Sequence, residues 1–215
     1  MLIDLLLSGK DVVIFGGGKE ATFKVKKVLD DNPKLTVISR TFSDEIREIA
    51  KNNSINLIEF DLGGDLSELK GKIQNLDVVI VATDNADLNM KVSDFAREFD
   101  ALVCVVDTPD LCDFAMPAIA KLGDIRVGIS TNGKSPAMAA VIRRRIESTI
   151  TETDLLHIKL QEHVRQIGKR RIENFDDRKK VLYKIIDDKR IDDLLREKKF
   201  EEAKVLAESM IMEVK

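Results

Sequence analysis

Three places in the chain hold residue types at spacings that can do chemistry. The first is Gly16-Gly17-Gly18-Lys19-Glu20-Ala21, which follows the apolar run Val12-Val13-Ile14-Phe15. Gly16, Gly18 and Ala21 fit the G-x-G-x-x-G/A spacing, in which each small residue has its own mechanical task. Gly16 lets the chain turn sharply, Gly18 lets backbone approach a pyrophosphate, and Ala21 lets a helix lie close on a sheet. The free N–H groups and dipole at that helix start would then hold a diphosphate. The second place is a set of strand ends, Ser39-Arg40-Thr41, Thr83-Asp84-Asn85 and Asp107-Thr108-Pro109. The third is Ser130-Thr131-Asn132-Gly133-Lys134-Ser135-Pro136, where backbone N–H groups and a lysine meet at another helix start. That loop reads equally as an anion site and as a well-capped helix, with Ser135 as N-cap and Pro136 in the first turn.

These residues need a scaffold, and residues 10 to 106 supply one. Short β-branched runs alternate there with amphipathic stretches, the pattern of a doubly wound α/β domain with a parallel sheet. Strands are expected at Val12–Phe15, Leu35–Ser39, Asn56–Phe60, Asp77–Ala82 and Ala101–Val106. Helices are expected at Ala21–Leu29, with Phe23, Val25, Val28 and Leu29 inward, at Ser43–Asn52, and at Asp87–Phe99. In such a sheet the ligand lies beyond the carboxyl ends of the strands. The second strand's tip usually carries an acid for the adenosine ribose, yet here it reads Ser39-Arg40. Either Arg40 meets the 2′-phosphate of NADP, or it is solvated or stacked on adenine.

After Asp107 the rhythm changes. Met116–Lys121 and Ile125–Ser130 flank Leu122-Gly123-Asp124 as an antiparallel hairpin, and a helix follows from Pro136 to about Thr149. From Thr151 onward the sequence is helical and charged, with Leu155, Ile158, Leu160, Val164 and Ile167 on one stripe and Val181, Leu182, Ile185 and Ile186 on another. The expected organisation is residues 1–112, a nucleotide-binding domain; 113–150, a hairpin and helix; and 151–215, a small helical domain.

Composition narrows the function classes. With 35 basic against 38 acidic residues and a net charge of −3, there is no global basic field for nucleic acid. No apolar run approaches the roughly 18 residues of a membrane span, so a soluble, cytoplasmic protein is expected. Cys104 and Cys112 lack zinc-site spacing and are expected to be free, Cys104 in the core. His157 and His163 lie six residues apart, off a common helix face, and no metal site is expected.

Several stretches together resemble the precorrin-2 dehydrogenases and bifunctional dehydrogenase/ferrochelatases that form the N-terminal module of siroheme synthase. They are Val12 to Gly18, Leu35-Thr36-Val37 with Thr41-Phe42, Ala82-Thr83-Asp84 with Asn89, Val105-Val106-Asp107, Phe114 to Pro117, and Ser130 to Pro136. The resemblance covers roughly the first 150 residues by motif. It implies a Rossmann-like parallel sheet, then a hairpin and helix building a homodimer interface and tetrapyrrole cleft. It implies removal of two electrons and two protons from precorrin-2 with NAD as hydride acceptor, giving sirohydrochlorin; some members then insert ferrous iron.

The resemblance also implies roles. Asp107 matches the essential aspartate, and a carboxylate at a sheet tip can take the departing proton; as a residue it also reads as a turn aspartate before Thr108-Pro109. Gly16, Gly17, Gly18, Lys19, Glu20, Arg40, Thr41, Thr83 and Asp84 match cofactor contacts. Ser130, Thr131, Asn132, Gly133, Lys134, Ser135 and Arg143 are the candidates for the substrate's carboxylates, through charge-assisted hydrogen bonds. Lys134 departs from the more serine- and glycine-rich run of relatives, and no C-terminal methyltransferase is expected in this chain. Two alternatives stand beside this reading: an NAD-sensing module without chemistry, and an NADP-dependent reductase of another small anion.

Overall fold

The computed structural model describes residues 2–214. The chain forms two compact units, Met1–Met116 and Pro117–Lys215.

Unit 1 is built on five parallel strands, β1 (Asp11–Phe15), β2 (Lys34–Ser39), β3 (Ile55–Glu59), β4 (Val78–Val81) and β5 (Leu102–Val105), in the order β3-β2-β1-β4-β5. Each expected strand is present within about a residue of its ends. Both faces are covered, as a parallel sheet requires. Val12 and Ile14 of β1 pack on one side with Ala21, Val25 and Val28 of α1 (Lys19–Leu29) and Ile46 of α2 (Asp44–Asn52). Val13 and Phe15 face the other way, onto Val92, Phe95 and Ala96 of α3 (Ala86–Arg97) and onto Leu66 and Leu69 of a short 3-10 turn. This alternation is the two-residue period of a strand read on both faces.

The order reverses between β1 and β4, where loops from the two halves splay apart at the strand ends. Gly16 sits at that point with φ 123°, a conformation open mainly to glycine, and its N–H donates to the Ile38 carbonyl at 2.9 Å.

Phe23 departs from expectation. It is half exposed, with the Lys27 ammonium 4.8 Å from its ring centre. Ala21, Thr22, Val25 and Val28 define the buried face, and a residue at position 23 is turned well away from it. Thr22 takes the buried place, its hydroxyl 3.0 Å from that of Ser43 and 2.9 Å from the Gly18 carbonyl. Ser43 caps α2, accepting from the Ile46 N–H at 3.2 Å. Ser43→Ala is expected to lower unfolding free energy by about 1 kcal/mol, read from urea denaturation, because it removes the cap and the Thr22 partner together.

Unit 2 begins with the antiparallel pair β6 (Ala118–Leu122) and β7 (Ile125–Ile129), joined at Gly123-Asp124. Gly123 has φ 54°, and Leu155 packs against it closely enough that a Cβ there would lie 3.3 Å from the leucine methyl. The helices α4 (Pro136–Thr149), α5 (Glu152–Arg171), α6 (Phe175–Ile186), α7 (Lys189–Arg196) and α8 (Phe200–Met212) follow. A core of Leu160, Val164, Val181, Ile185, Ile191, Leu195, Ala207 and Ile211 joins the last four. The tail from Asp192 is two helices, broken where Lys198 takes φ 60°. No helix among the described residues is long and apolar enough to cross a membrane.

Candidate functional site

At the carboxyl ends of the sheet in unit 1 lies a cavity of about 810 Å³. Gly16, Gly17, Gly18, Lys19 and Glu20 line it from the β1–α1 turn, Arg40 and Thr41 from the end of β2, Thr83 and Asp84 from the end of β4, and Asp107 from the end of β5. The parallel register explains the convergence. Phe15 pairs with Ile38 and Val81, and Val81 with Val105, so all the turns leave the sheet at one level.

The glycines divide the work differently from one another. A Cβ on Gly17 would lie 1.8 Å from the Thr41 carbonyl oxygen, and one on Gly16 2.3 Å from the Ala82 carbonyl oxygen. Gly16 and Gly17 thus let the β1 turn pack against its neighbours. Gly18 has no atom within 4 Å of the same position. It leaves space in the cavity.

Gly18 is also the N-cap of α1, and no side chain caps that helix start. Ser43 and Asn85 cap α2 and α3. The first-turn N–H groups of α1 therefore lack the side-chain acceptor those helices have, and point where an anion can take them. Lys19 adds a charge with no partner among the described residues; Glu20 is paired with Lys24 at 3.1 Å. A dinucleotide fits these donors and this volume.

Thr83 is fixed by Asn89, a buried side chain 2.6 Å from the Thr83 hydroxyl, while Asn85 accepts from the N–H groups of Asp87 and Leu88. Asp107 stands free. Its carboxylate is exposed and makes no hydrogen bond or ion pair among the described residues. Its φ is 60°, a left-handed conformation that aspartate tolerates and that recurs at functional sites. Asp107 is thus the turn residue and the candidate base at once.

The segment around it is braced. Val103 N–H donates to the Asp113 carboxylate at 2.9 Å, Asp113 N–H to the Val103 carbonyl at 2.8 Å, and Val105 N–H to Cys112 Sγ at 3.1 Å. Cys104 lies beneath, buried and free, its thiol pushed up to about 11 first by burial and then by Cys112.

Sequence reading passed over part of the lining. Asp61 and Leu62 enter the cavity from the end of β3, and Leu88 from α3. The acid missing from the β2 tip is thus present one strand over. Asp61 follows a strand that pairs in register with β2, and position relative to Ser39 is the signal that could have found it.

The candidate substrate residues lie in unit 2. Asn132 and Gly133 take φ 52° and 74°, and the loop is closed by its own side chains. Thr131 Oγ1 accepts from Ser135 N–H at 3.0 Å, Ser135 Oγ from Met138 N–H at 3.2 Å, and Ser130 Oγ from Asn132 N–H at 3.2 Å. Lys134 is exposed and unpaired among the described residues. Arg143 is engaged, 2.7 Å from Glu147 one turn on. His157 and His163 turn to different helices, toward Asp192 and Glu208.

Residues 3–118 match a family described as NAD(P)-binding, and residues 123–149 match one described as sirohaem biosynthesis protein, central. A precorrin-2 dehydrogenase of Methanosarcina barkeri is 36% identical over 182 residues, 84% of this chain and 80% of that protein. The chain belongs to the precorrin-2 dehydrogenase family. A siroheme synthase of Ruthia magnifica is 32% identical over 79% of this chain, which spans 35% of that longer protein. Family membership extends to the fold. The solved structure named SirC, precorrin-2 dehydrogenase, superposes with a TM-score of 0.74, covering 97% of this chain and 99% of that one at 24% identity.

Proposed function

We propose that this chain oxidises precorrin-2 to sirohydrochlorin with NAD, in the cytoplasm, as a step in making siroheme. One observation carries the reading: in a chain 36% identical to a precorrin-2 dehydrogenase, a glycine turn fit for a diphosphate and an unpartnered aspartate line one cavity at the strand-order reversal.

The reaction removes one hydride and one proton. Bound NAD supplies a ring that accepts the hydride. The α1 first turn and Lys19 hold the diphosphate, and Ser39, Arg40, Thr41 and Asp61 surround the adenosine. Thr83, Asp84 and Asn85 shape the β4 end of the cavity. Asp107 takes the proton, leaving sirohydrochlorin. Ser130 to Ser135 and Arg143 receive substrate carboxylates, with Lys134 the cation that has no internal partner. Arg143 must exchange Glu147 for them.

Asp61 supports NAD over NADP, since a carboxylate beside the adenosine repels a 2′-phosphate. Asp61→Ala is expected to raise affinity for NADPH relative to NADH, about tenfold for each 1.4 kcal/mol of repulsion removed. Paired fluorescence titrations of the two coenzymes check it, and an unchanged ratio would remove Asp61 from this role.

A homodimer fits the surface of α4. It carries Met138, Ala140, Val141, Ile142 and Ile146, yet Ala139 is the one residue of that helix that is fully buried. Insertion of ferrous iron into sirohydrochlorin needs a base for the pyrrole protons, and Asp107 can serve.

Anaerobic incubation with precorrin-2 and either coenzyme tests the reading. One NADH per sirohydrochlorin is expected, with a metal-dependent spectral change on adding ferrous iron. No product with NAD or NADP would overturn it.

A further inference from the structure

Unit 2 carries a groove of about 720 Å³ along α5 and α6, inside the range of roughly 300–1,000 Å³ found for small-molecule sites. Its apolar lining is the part of the α5 and α6 stripes that the helical core does not cover. Ile158 is 36% exposed, Ile186 43%, Tyr183 56% and Phe175 69%. Gly168 of α5 borders the same groove. It is itself buried, yet a Cβ there would meet no atom within 4 Å. The space beside that helix backbone is empty.

The rim is cationic. Arg165, Lys169, Arg178 and Lys179 line the groove against one carboxylate, Glu162. Arg165, Lys169 and Lys179 have no hydrogen-bond or ion-pair partner among the described residues. Arg178 is held in place, donating to the carbonyls of Ile172 and Glu173 at 2.6 and 2.8 Å with its guanidinium 5.8 Å from the Phe175 ring centre. The imbalance extends to the whole unit, which has 22 basic and 17 acidic residues, whereas unit 1 has 13 and 21.

We infer that the α5–α6 groove binds a flat, apolar-bodied polycarboxylate, a macrocycle of the substrate's own class. The inference rests on the tetrapyrrole reading given above. Phe175 and Tyr183 offer faces on which a planar ring stacks. The Gly168 space admits its edge, and the four cations meet carboxylates around its perimeter through charge-assisted hydrogen bonds. An apolar floor alone would accept many partners; two cations from α5 and two from α6 beside that floor select a polyanion. Such a site keeps substrate or product on the protein between steps.

Uroporphyrin, a fluorescent porphyrin bearing eight carboxylates, is the probe. It is titrated into the full chain, into Gly168→Leu, which fills the hollow while raising helix propensity, and into Lys169→Glu/Lys179→Glu. Two porphyrin sites are expected on the wild-type chain, the substrate site proposed above and the groove; in both variants one of the two is expected to weaken at least tenfold while the other holds, with NADH affinity and helical circular dichroism unchanged. Undiminished porphyrin binding at both sites in both folded variants would overturn the inference, as would a groove that takes an acidic amphipathic peptide with no competition from porphyrin. Precorrin-2 oxidation by the wild-type chain is scored separately. Failure there strikes the proposed reaction, whereas unaltered porphyrin affinity strikes the groove alone.

Discussion

Asp107→Asn is expected to slow precorrin-2 oxidation by roughly 10²–10⁴-fold, the contribution of a positioned general base, and to leave NADH affinity intact. The substitution isolates the proton step. Asparagine tolerates the left-handed φ of 60° that position 107 adopts, so the turn survives. The braces beneath it, from Asp113 to Val103 and from Cys112 to Val105, do not involve the carboxylate. Since that carboxylate has no partner among the described residues, removing its charge breaks no ion pair. The measurement is single-turnover formation of sirohydrochlorin at saturating NAD, beside a coenzyme titration. A full rate in the variant would mean that the proton leaves to water or to another group.

Gly17→Ala and Gly18→Ala, one residue apart, are expected to fail in opposite ways. The new methyl at position 17 would lie 1.8 Å from the Thr41 carbonyl oxygen and 2.8 Å from Ser39 Oγ, one of them backbone that cannot yield cheaply. A loss of about 3 kcal/mol is expected, the upper part of the usual range for overpacking, and it appears in thermal melting. At position 18 the methyl meets no protein atom within 4 Å but occupies the cavity beside the uncapped α1 start. The melting point is expected to hold while NADH binds about tenfold more weakly, equivalent to about 1.4 kcal/mol. Equal stability losses in the two would show that Gly18, too, serves packing.

The sheet was legible because buried parallel strands are continuous apolar runs bounded by turns, and Val12–Phe15, Val78–Val81 and Leu102–Val105 are of that kind. The strand tips followed, and with them the ten residues of unit 1 proposed for coenzyme and catalysis, all of which line the cavity. Asp61 escaped because it lies two residues past the end of β3, in a segment whose Leu62, Leu66, Leu69, Ile73 and Leu76 recur at helical spacing and are buried, yet which forms only the 3-10 turn Leu66–Gly71 between glycines. Phe23 was misplaced because size and apolarity suggested core, whereas its helical phase and two neighbouring lysines hold it at the surface. In the tail, Ile158 and Ile186 read as core by stripe, yet the helices leave them lining a groove. A stripe tells which face is apolar, not how much of it the next helix covers.

The most direct test of the account is a crystal structure of the chain with NAD bound. The diphosphate is expected on the N–H groups at the start of α1, beside Gly18 and Lys19, with adenosine between Ser39–Thr41 and Asp61. The nicotinamide is expected at the β4 and β5 ends, within reach of Thr83 and on the Asp107 side. Coenzyme in the reverse sense, or bound outside this cavity, would separate the glycine turn from Asp107 and contradict the proposed chemistry.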